Sequence, residues 1–387
     1  MSLSPLPVEL WLDIFRWSTI SRSTPSLCAT TYCPFQADAL DAIDQEAVAV
    51  KRTLVCVCKQ WCHLAKNLLL EDVVIRRDGS SLKRALQAEG EKGGYSRVRR
   101  ACLPYSSCIP CNSDLTEAAA LLKVCPQLEV LVRPIPALQD ELRFELPGEE
   151  CPPLTSLKRL DWWHHNDAAR CGGVNALTDV LHAAPNLQYL SLGGDMWLNL
   201  LQRKPIELPS LSTLRIRRMN VLFLHQICRW SLPSLRHVII DTYTNHRLFD
   251  DFWSTFGDQI KSLELGRSLK FYVLDMVYHV LANCPNLEEL NYYVQFTASP
   301  HLPLDRHISL TTVRLHAAPN SFFTEGGNAY WEHIGEHFSA FCQPLFPALK
   351  RFVLHGDWEA VRWDSRFRLL TQKLKDRGCV IEFNQPS

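Results

Sequence analysis

Apolar and charged positions separate by helical spacing near the start of the chain. In VELWLDIFRW, Val8 to Trp17, the charged residues Glu9, Asp13 and Arg16 recur at i, i+4 and i+7 and so share one narrow stripe of a helix. Every other position there is apolar: Val8, Leu10, Trp11, Leu12, Ile14, Phe15 and Trp17. A surface helix needs one apolar face about 100° wide, and this one has enough for two. Leu6-Pro7 suits a helix start, and Glu9 falls in the first turn, where the helix dipole favours an anion. A second amphipathic helix is expected through RTLVCVCKQWCHLAKNLL, with Leu54, Val57, Cys58, Trp61, Leu64, Ala65 and Leu68 on one side. LLLEDVVI then turns to strand-like character.

Downstream, one apolar frame recurs. CPQLEVLVR, TSLKRLDW, APNLQYLSL, LPSLSTLRI, LPSLRHVII, DQIKSLEL, CPNLEELNY, ISLTTVRL and FPALKRFVL are read as copies of Φ-x-x-Φ-x-Φ, where Φ is apolar. Their first positions are Leu128, Leu157, Leu187, Leu211, Leu235, Ile260, Leu287, Leu310 and Leu349, spaced 23 to 30 residues apart except for a last step of 39. That period is close to the leucine-rich range of about 20–29 residues. A weaker copy, VRRACL, begins at Val98. Helical patterns lie between the frames: SDLTEAAALLKVCP with Ser113 or Asp114 as N-cap, NALTDVLHAAP with Leu177, Val180 and Leu181, and KFYVLDMVYHVLANCP with Val273, Val277, Val280 and Leu281. A unit of helix, turn and short strand cannot bury its apolar face alone. The expected fold is therefore α/β, an irregular solenoid with parallel strands on its concave face. The stretch from Trp358 to Asp376, followed by CVIEF, reads as a terminal cap.

Composition narrows the partners. The 387 residues are 47% hydrophobic and 21% charged, and 41 Lys+Arg balance 41 Asp+Glu, so bulk charge points to neither nucleic acid nor an acidic membrane. The N-terminal apolar stretch has no basic leader and carries Glu9 and Asp13 inside it, unlike a secretory signal, and no segment offers about 18 uninterrupted apolar residues. A cytoplasmic or nuclear protein is expected. The 15 Cys are odd in number and sit in apolar contexts such as LVCVC and NCPNL, which fits reduced, buried thiols.

Catalytic patterns are few. HIGEH, His333 to His337, has inverted zinc-protease spacing, but Ile334, Phe338 and Phe341 make the same segment the core-facing helix of a repeat, with the two His flanking that face. CIPC, Cys108 to Cys111, lacks a second pair. Cys56, Cys58 and Cys62 do not share a helix face, and in DWWHHND only Trp162 is a frame position, the rest reading as loop. No Walker loop, G-x-S-x-G or G-x-G-x-x-G occurs. A non-enzyme without cofactor or metal is expected.

LPVELWLDIF, LVCVCKQWCHLA and LLLEDVVI, in that order, resemble an F-box of the form found in many fungal proteins. Residues from about 95 to 385 resemble the leucine-rich repeats that accompany F-boxes. Two departures stand out. Phe15 and Cys58 lie 43 residues apart, separated by an insert that is Ser/Thr-rich and then helical. The backbone-bonding Asn of common leucine-rich repeats is replaced, as at Asp195, Met219, Tyr243 and Ser268.

The resemblance implies an F-box over 1–75, with the insert at about 18–50, and a repeat domain over 76–387. It further implies a substrate receptor of an SCF-type cullin ubiquitin ligase, which binds a Skp-family adaptor, and through it a cullin, at one end and an unknown target protein at the other. Its adaptor contacts would come from Leu6, Pro7, Leu10, Trp11, Ile14, Phe15, Val57, Cys58 and Trp61, some of which must instead form the module's own core. A leucine-rich scaffold without a ligase role is the alternative, and a helical cap that merely seals the solenoid is another reading of the N-terminus. Strand alternation points the residues flanking the later Φ positions outward, giving Arg159, Trp163, Tyr189, Arg215, Arg217, His237, Asn291, Tyr293, Arg314 and Arg351 as target-binding candidates, with Glu264, His316 and His355 in equivalent positions. Arg215, Arg217, Arg314 and Arg351 would suit an acidic or phosphorylated segment.

Overall fold

A computed structural model of the chain describes residues 6–19, 31–36, 45–75, 80–91, 97–103, 118–135, 150–170, 172–194, 205–241, 249–267, 275–301, 305–320 and 327–384. The chain forms two compact units, one of Met1–Tyr32, Gln36–Leu211 and Ser231–Pro233, the other of Cys33–Phe35, Ser212–Trp230 and Ser234–Ser387. The division falls inside the repeats.

The first unit holds β1 (Asp72–Val74), β2 (Arg100–Cys102), β3 (Val130–Arg133), β4 (Arg159–His164) and β5 (Tyr189–Gly194). The second holds β6 (Thr213–Met219), β7 (His237–Asp241), β8 (Ser262–Leu265), β9 (Glu289–Tyr293), β10 (Thr312–Ala317), β11 (Arg351–Gly356) and β12 (Val380–Asn384). Within each unit, every strand pairs in parallel with the next in sequence. The fold is α/β, and helices supply the crossovers that parallel pairing requires.

The apolar frame sets this order. Each of its nine first positions, Leu128 to Leu349, is buried two residues ahead of a strand, and each second position, Leu131 to Phe352, is buried within one. The third position is buried as well, but in the first copy it is Arg133, not an apolar residue. That guanidinium lies 4.5 Å over the Trp162 ring and donates to the Val174 carbonyl and to Asn175 Oδ1, so later repeats satisfy its charge. Among the intervening helices, Leu177–Ala183 and Met276–Asn283 turn Val180, Leu181, Val277 and Val280 inward. In the first helical pattern the described helix is Ala118–Lys123; Ser113 and Asp114, like Val273, lie outside the described residues. The terminal pattern forms the helices Glu359–Arg362 and Ser365–Asp376 and then β12.

Repeats are also tied by Asn, though at a different position from the common one. Asn186 and Asn286, each just before a first apolar position, donate from Nδ2 to the carbonyls of Thr155 and Asp258 in the preceding repeat. Asp195, Tyr243 and Ser268 lie outside the described residues.

At the N-terminus are α1 (Val8–Thr19), α2 (Gln45–Val57) and α3 (Lys59–Leu70). The single helix expected through LVCVCKQWCHLA is two, broken at Cys58, whose extended backbone (φ −159°, ψ 169°) caps α3 while its thiol accepts from the Trp61 N–H at 3.5 Å. The helical part of the insert is the start of α2. No helix among the described residues is long and apolar enough to cross a membrane. The described cysteines are free thiols, but not all are buried: Cys102, Cys125, Cys284 and Cys379 are, whereas Cys33, Cys56, Cys58 and Cys62 are exposed.

Candidate functional site

The candidate residues lie on the N-terminal helices and on the strands of each unit. On α1 the helical period divides the surface into three. Trp11, Leu12 and Phe15 turn toward Leu54, Leu64, Ala65 and Leu68, with Trp61 packed against the same cluster. Glu9, Asp13 and Arg16 form the charged stripe, all exposed. Leu10, Ile14 and Trp17, at i, i+4 and i+7, form a third stripe that is 47%, 46% and 76% exposed. Leu6 extends it ahead of the helix; Val8, on the side of Leu12 and Phe15, is exposed at the helix start, and Val57 at the end of α2 is also exposed.

This geometry partitions the adaptor candidates. Phe15 is buried and Trp11 and Trp61 are half-buried against it, so these three belong to the module's own core. Pro7 is exposed, and its carbonyl accepts from the Trp11 N–H to start α1. Cys58 is exposed at the α2–α3 break. Leu6, Leu10, Ile14 and Val57 remain as apolar surface. Trp17 and Val8 join them, and the i+7 spacing of Trp17 from Leu10 is a signal that could have placed it there.

The strand face differs from an open polar surface. In the first unit Tyr189 and Arg159 are buried, and Trp163 is half-buried in β4, so DWWHHND continues as strand through His164. Arg159 stacks 4.2 Å over the Tyr189 ring and forms a buried ion pair with Asp161, Nε to Oδ2 at 2.7 Å. Burial lowers the His164 pKa to about 4. In the second unit Arg215 binds Asp241 at 2.9 Å, Arg314 binds Glu289 at 3.1 Å, and Arg351 makes two bonds to Glu382. Asn291, fully buried, donates to the other Glu289 oxygen, while Arg217 is buried and His237 half-buried. The arginines read as an open basic surface are thus held against carboxylates of their own unit, or buried.

On the strands of the second unit, register aligns three rings. Tyr293 of β9, His316 of β10 and His355 of β11 are successive Cα partners. Phe35, from the insert, packs against all three at centroid distances of 5.1, 5.0 and 4.9 Å, and its backbone N–H donates to Glu264 Oε2 at 2.8 Å. Burial lowers the pKa of His316 and His355 to about 4, helped by the positive neighbours Arg267 and Arg314 respectively, so both rings are neutral at pH 7. Burial raises the Tyr293 phenol above its ordinary range. Gly356 is needed beside this row: a Cβ there would stand 2.8 Å from His316 Cε1, and its φ of +82° already suits glycine. Nothing local in the sequence marks Phe35 as part of the row.

The HIGEH histidines do not flank the core face but are part of the core. On the helix Asn328–Phe341, His333 Nε2 lies 2.7 Å from the Val294 carbonyl; His337 Nδ1 lies 3.0 Å from the Tyr292 hydroxyl and its Nε2 3.2 Å from the Thr297 carbonyl. Burial lowers both pKa values. Among the described residues no group of three or more His, Cys, Asp or Glu is placed to hold a metal. CIPC lies outside the described residues.

No protein-family model matches the chain, and no curated protein matches it either.

Proposed function

We propose that this chain is a substrate-recognition subunit of an SCF-type cullin ubiquitin ligase, an F-box followed by leucine-rich repeats. The observation that carries the reading is the stripe Leu10, Ile14 and Trp17, with Leu6 and Val57: apolar side chains left in solvent on helices whose opposite faces are already packed. Exposed apolar patches on otherwise packed helices mark protein-binding surfaces, and large ones are a liability when left uncovered. The F-box resemblance identifies the cover as a Skp-family adaptor. The repeats then supply target recognition. The mechanism is tethering, in which one chain holding both adaptor and target raises the target's effective concentration near the conjugating enzyme, with no chemistry on this chain.

Co-expression with a Skp-family adaptor tests the reading. The full chain is expected to co-purify with the adaptor in one-to-one ratio, and Leu10→Asp with Ile14→Asp is expected to abolish that association while circular dichroism stays unchanged. Failure of the wild-type chain to associate would overturn the ligase role and leave the scaffold.

A further inference from the structure

The row of Tyr293, His316 and His355 already has an occupant, this chain's own Phe35. Because three consecutive parallel strands place one ring each at a shared register, the row belongs to the repeat array and not to the segment that covers it. Tyr293 and His316 also pack on each other, 4.6 Å between centroids, so the wall is formed by contacts independent of Phe35. The covering segment is bent to reach it. Phe35 has φ +60°, and it is the one described non-glycine residue with a positive φ. A side chain with a Cβ enters that left-handed region only when surrounding contacts compensate.

The contacts that compensate are of two kinds. The ring fills the space between three aromatic rings, with tilted and edge-on geometry of the kind aromatic pairs prefer. The backbone N–H meets a buried carboxylate, Glu264, in a charge-assisted bond that any peptide amide could make. One subsite thus reads an aromatic side chain, and the other reads the amide that carries it.

We propose that residues Cys33 to Phe35 are an internal stand-in for a target, and that Tyr293, His316, His355 and Glu264 form a binding site for a peptide segment bearing a phenylalanine or similar aromatic residue. The inference rests on the reading of the repeats as a target receptor and names the class of target. A separate peptide can offer the same ring and amide without the left-handed turn. It competes, however, against a tethered segment with the advantage of high effective concentration. Target binding therefore requires that Phe35 leave the row.

The test uses the purified full chain and a dye-labelled peptide of its own residues 31–36, Thr-Tyr-Cys-Pro-Phe-Gln, read by fluorescence polarisation. Removing the tethered competitor with Phe35→Ala is expected to tighten peptide binding by about tenfold or more. The same peptide with Ala in place of Phe is expected to lose that binding, as is Tyr293→Ala introduced into the Phe35→Ala chain. If Phe35→Ala does not give a folded chain by circular dichroism, Phe35→Leu keeps most of the volume, loses the ring contacts, and carries the same expectation at severalfold. Equal affinity with and without Phe35, equal affinity for the two peptides, or no measurable binding to a folded variant would overturn the proposal. Adaptor capture is measured separately. A chain that captures the adaptor but ignores the peptide overturns this inference alone, and one that binds the peptide but no adaptor overturns only the ligase role.

Discussion

The indole rings of Trp11 and Trp61 meet with centroids 5.1 Å apart, and Phe15 closes the triangle at 5.8 Å from Trp11 and 4.9 Å from Trp61. This trio joins α1 to α3 and orients the Leu10, Ile14 and Trp17 stripe away from the cluster. Phe15→Ala empties a fully buried site and is expected to cost about 3–5 kcal/mol, while Leu10→Ala and Ile14→Ala on the exposed stripe stay within about 0.5 kcal/mol. Urea unfolding of the three variants measures the difference. An equal cost for Phe15 and Leu10 would mean that the two faces are wrongly assigned.

Two glycines should respond to alanine with opposite signs. Gly194, at the end of β5, has φ +105°, and a Cβ there would lie 2.2 Å from the His164 carbonyl oxygen. Gly194→Ala is expected to destabilise by more than about 1 kcal/mol, since both the backbone and the neighbouring strand must shift. Gly335 sits within the helix Asn328–Phe341, and a Cβ added there would meet nothing within 4 Å. Gly335→Ala is expected to stabilise by about 0.5–1 kcal/mol through the lost backbone freedom of the unfolded chain. Thermal midpoints moving the same way in both variants would contradict this.

Acid should weaken the fold through its buried imidazoles. His164, His316 and His355 have pKa values lowered to about 4, and burial also lowers His333 and His337, whereas in the unfolded chain each returns to about 6.5. For His164, His316 and His355 the unfolded state binds more protons than the folded state between about pH 4 and 6.5, and His333 and His337 act in the same direction. Stability therefore rises with pH from about 4 to 6.5 and is insensitive to these groups above that window. The upper bound is about 1.4 kcal/mol per pH unit for each imidazole, less for the partly exposed His316 and His355. Urea midpoints at pH 7.5, 6 and 5 should fall in that order. A His164→Gln chain should show a shallower fall, and an identical slope would remove His164 from the account.

What could be read in advance follows from the range of the interactions involved. Leu128, Leu187 and Leu287 were legible because burial of an apolar side chain two residues before a strand repeats along the chain, and the repeat itself is the signal. Arg133 was not, since a charge in the third frame position is tolerated only because Trp162 and Asn175, some 30 and 40 residues later, receive it. The two apolar faces of α1 were visible as surplus, but which face looked inward depended on Trp61, beyond the insert. The break at Cys58 left no breaker residue to find. Phe35 was the least legible of all, because its partners are strand residues more than 200 positions away and its neighbours along the chain, Cys33, Pro34 and Gln36, form no apolar pattern.

The ion pair of Arg159 and Asp161 gives the sharpest test of the strand face. Both side chains are buried, at 3% and 0% exposure, and Arg159 Nε and Nη2 reach the two carboxylate oxygens at 2.7 and 3.3 Å. Desolvating two charges offsets much of what their attraction returns, so the pair is expected to add little net stability over apolar residues of similar volume. Removing one partner is different, because the other charge stays buried. Arg159→Met should cost about 3–5 kcal/mol, and adding Asp161→Leu should recover most of that loss. The stacking of Arg159 on Tyr189 sets how complete the recovery is, since methionine replaces a planar cation over the ring. A double-mutant cycle by urea unfolding measures the coupling. A cost for Arg159→Met below about 1 kcal/mol would place these charges in water, returning Arg159 to the exposed, target-facing role that strand alternation alone suggests.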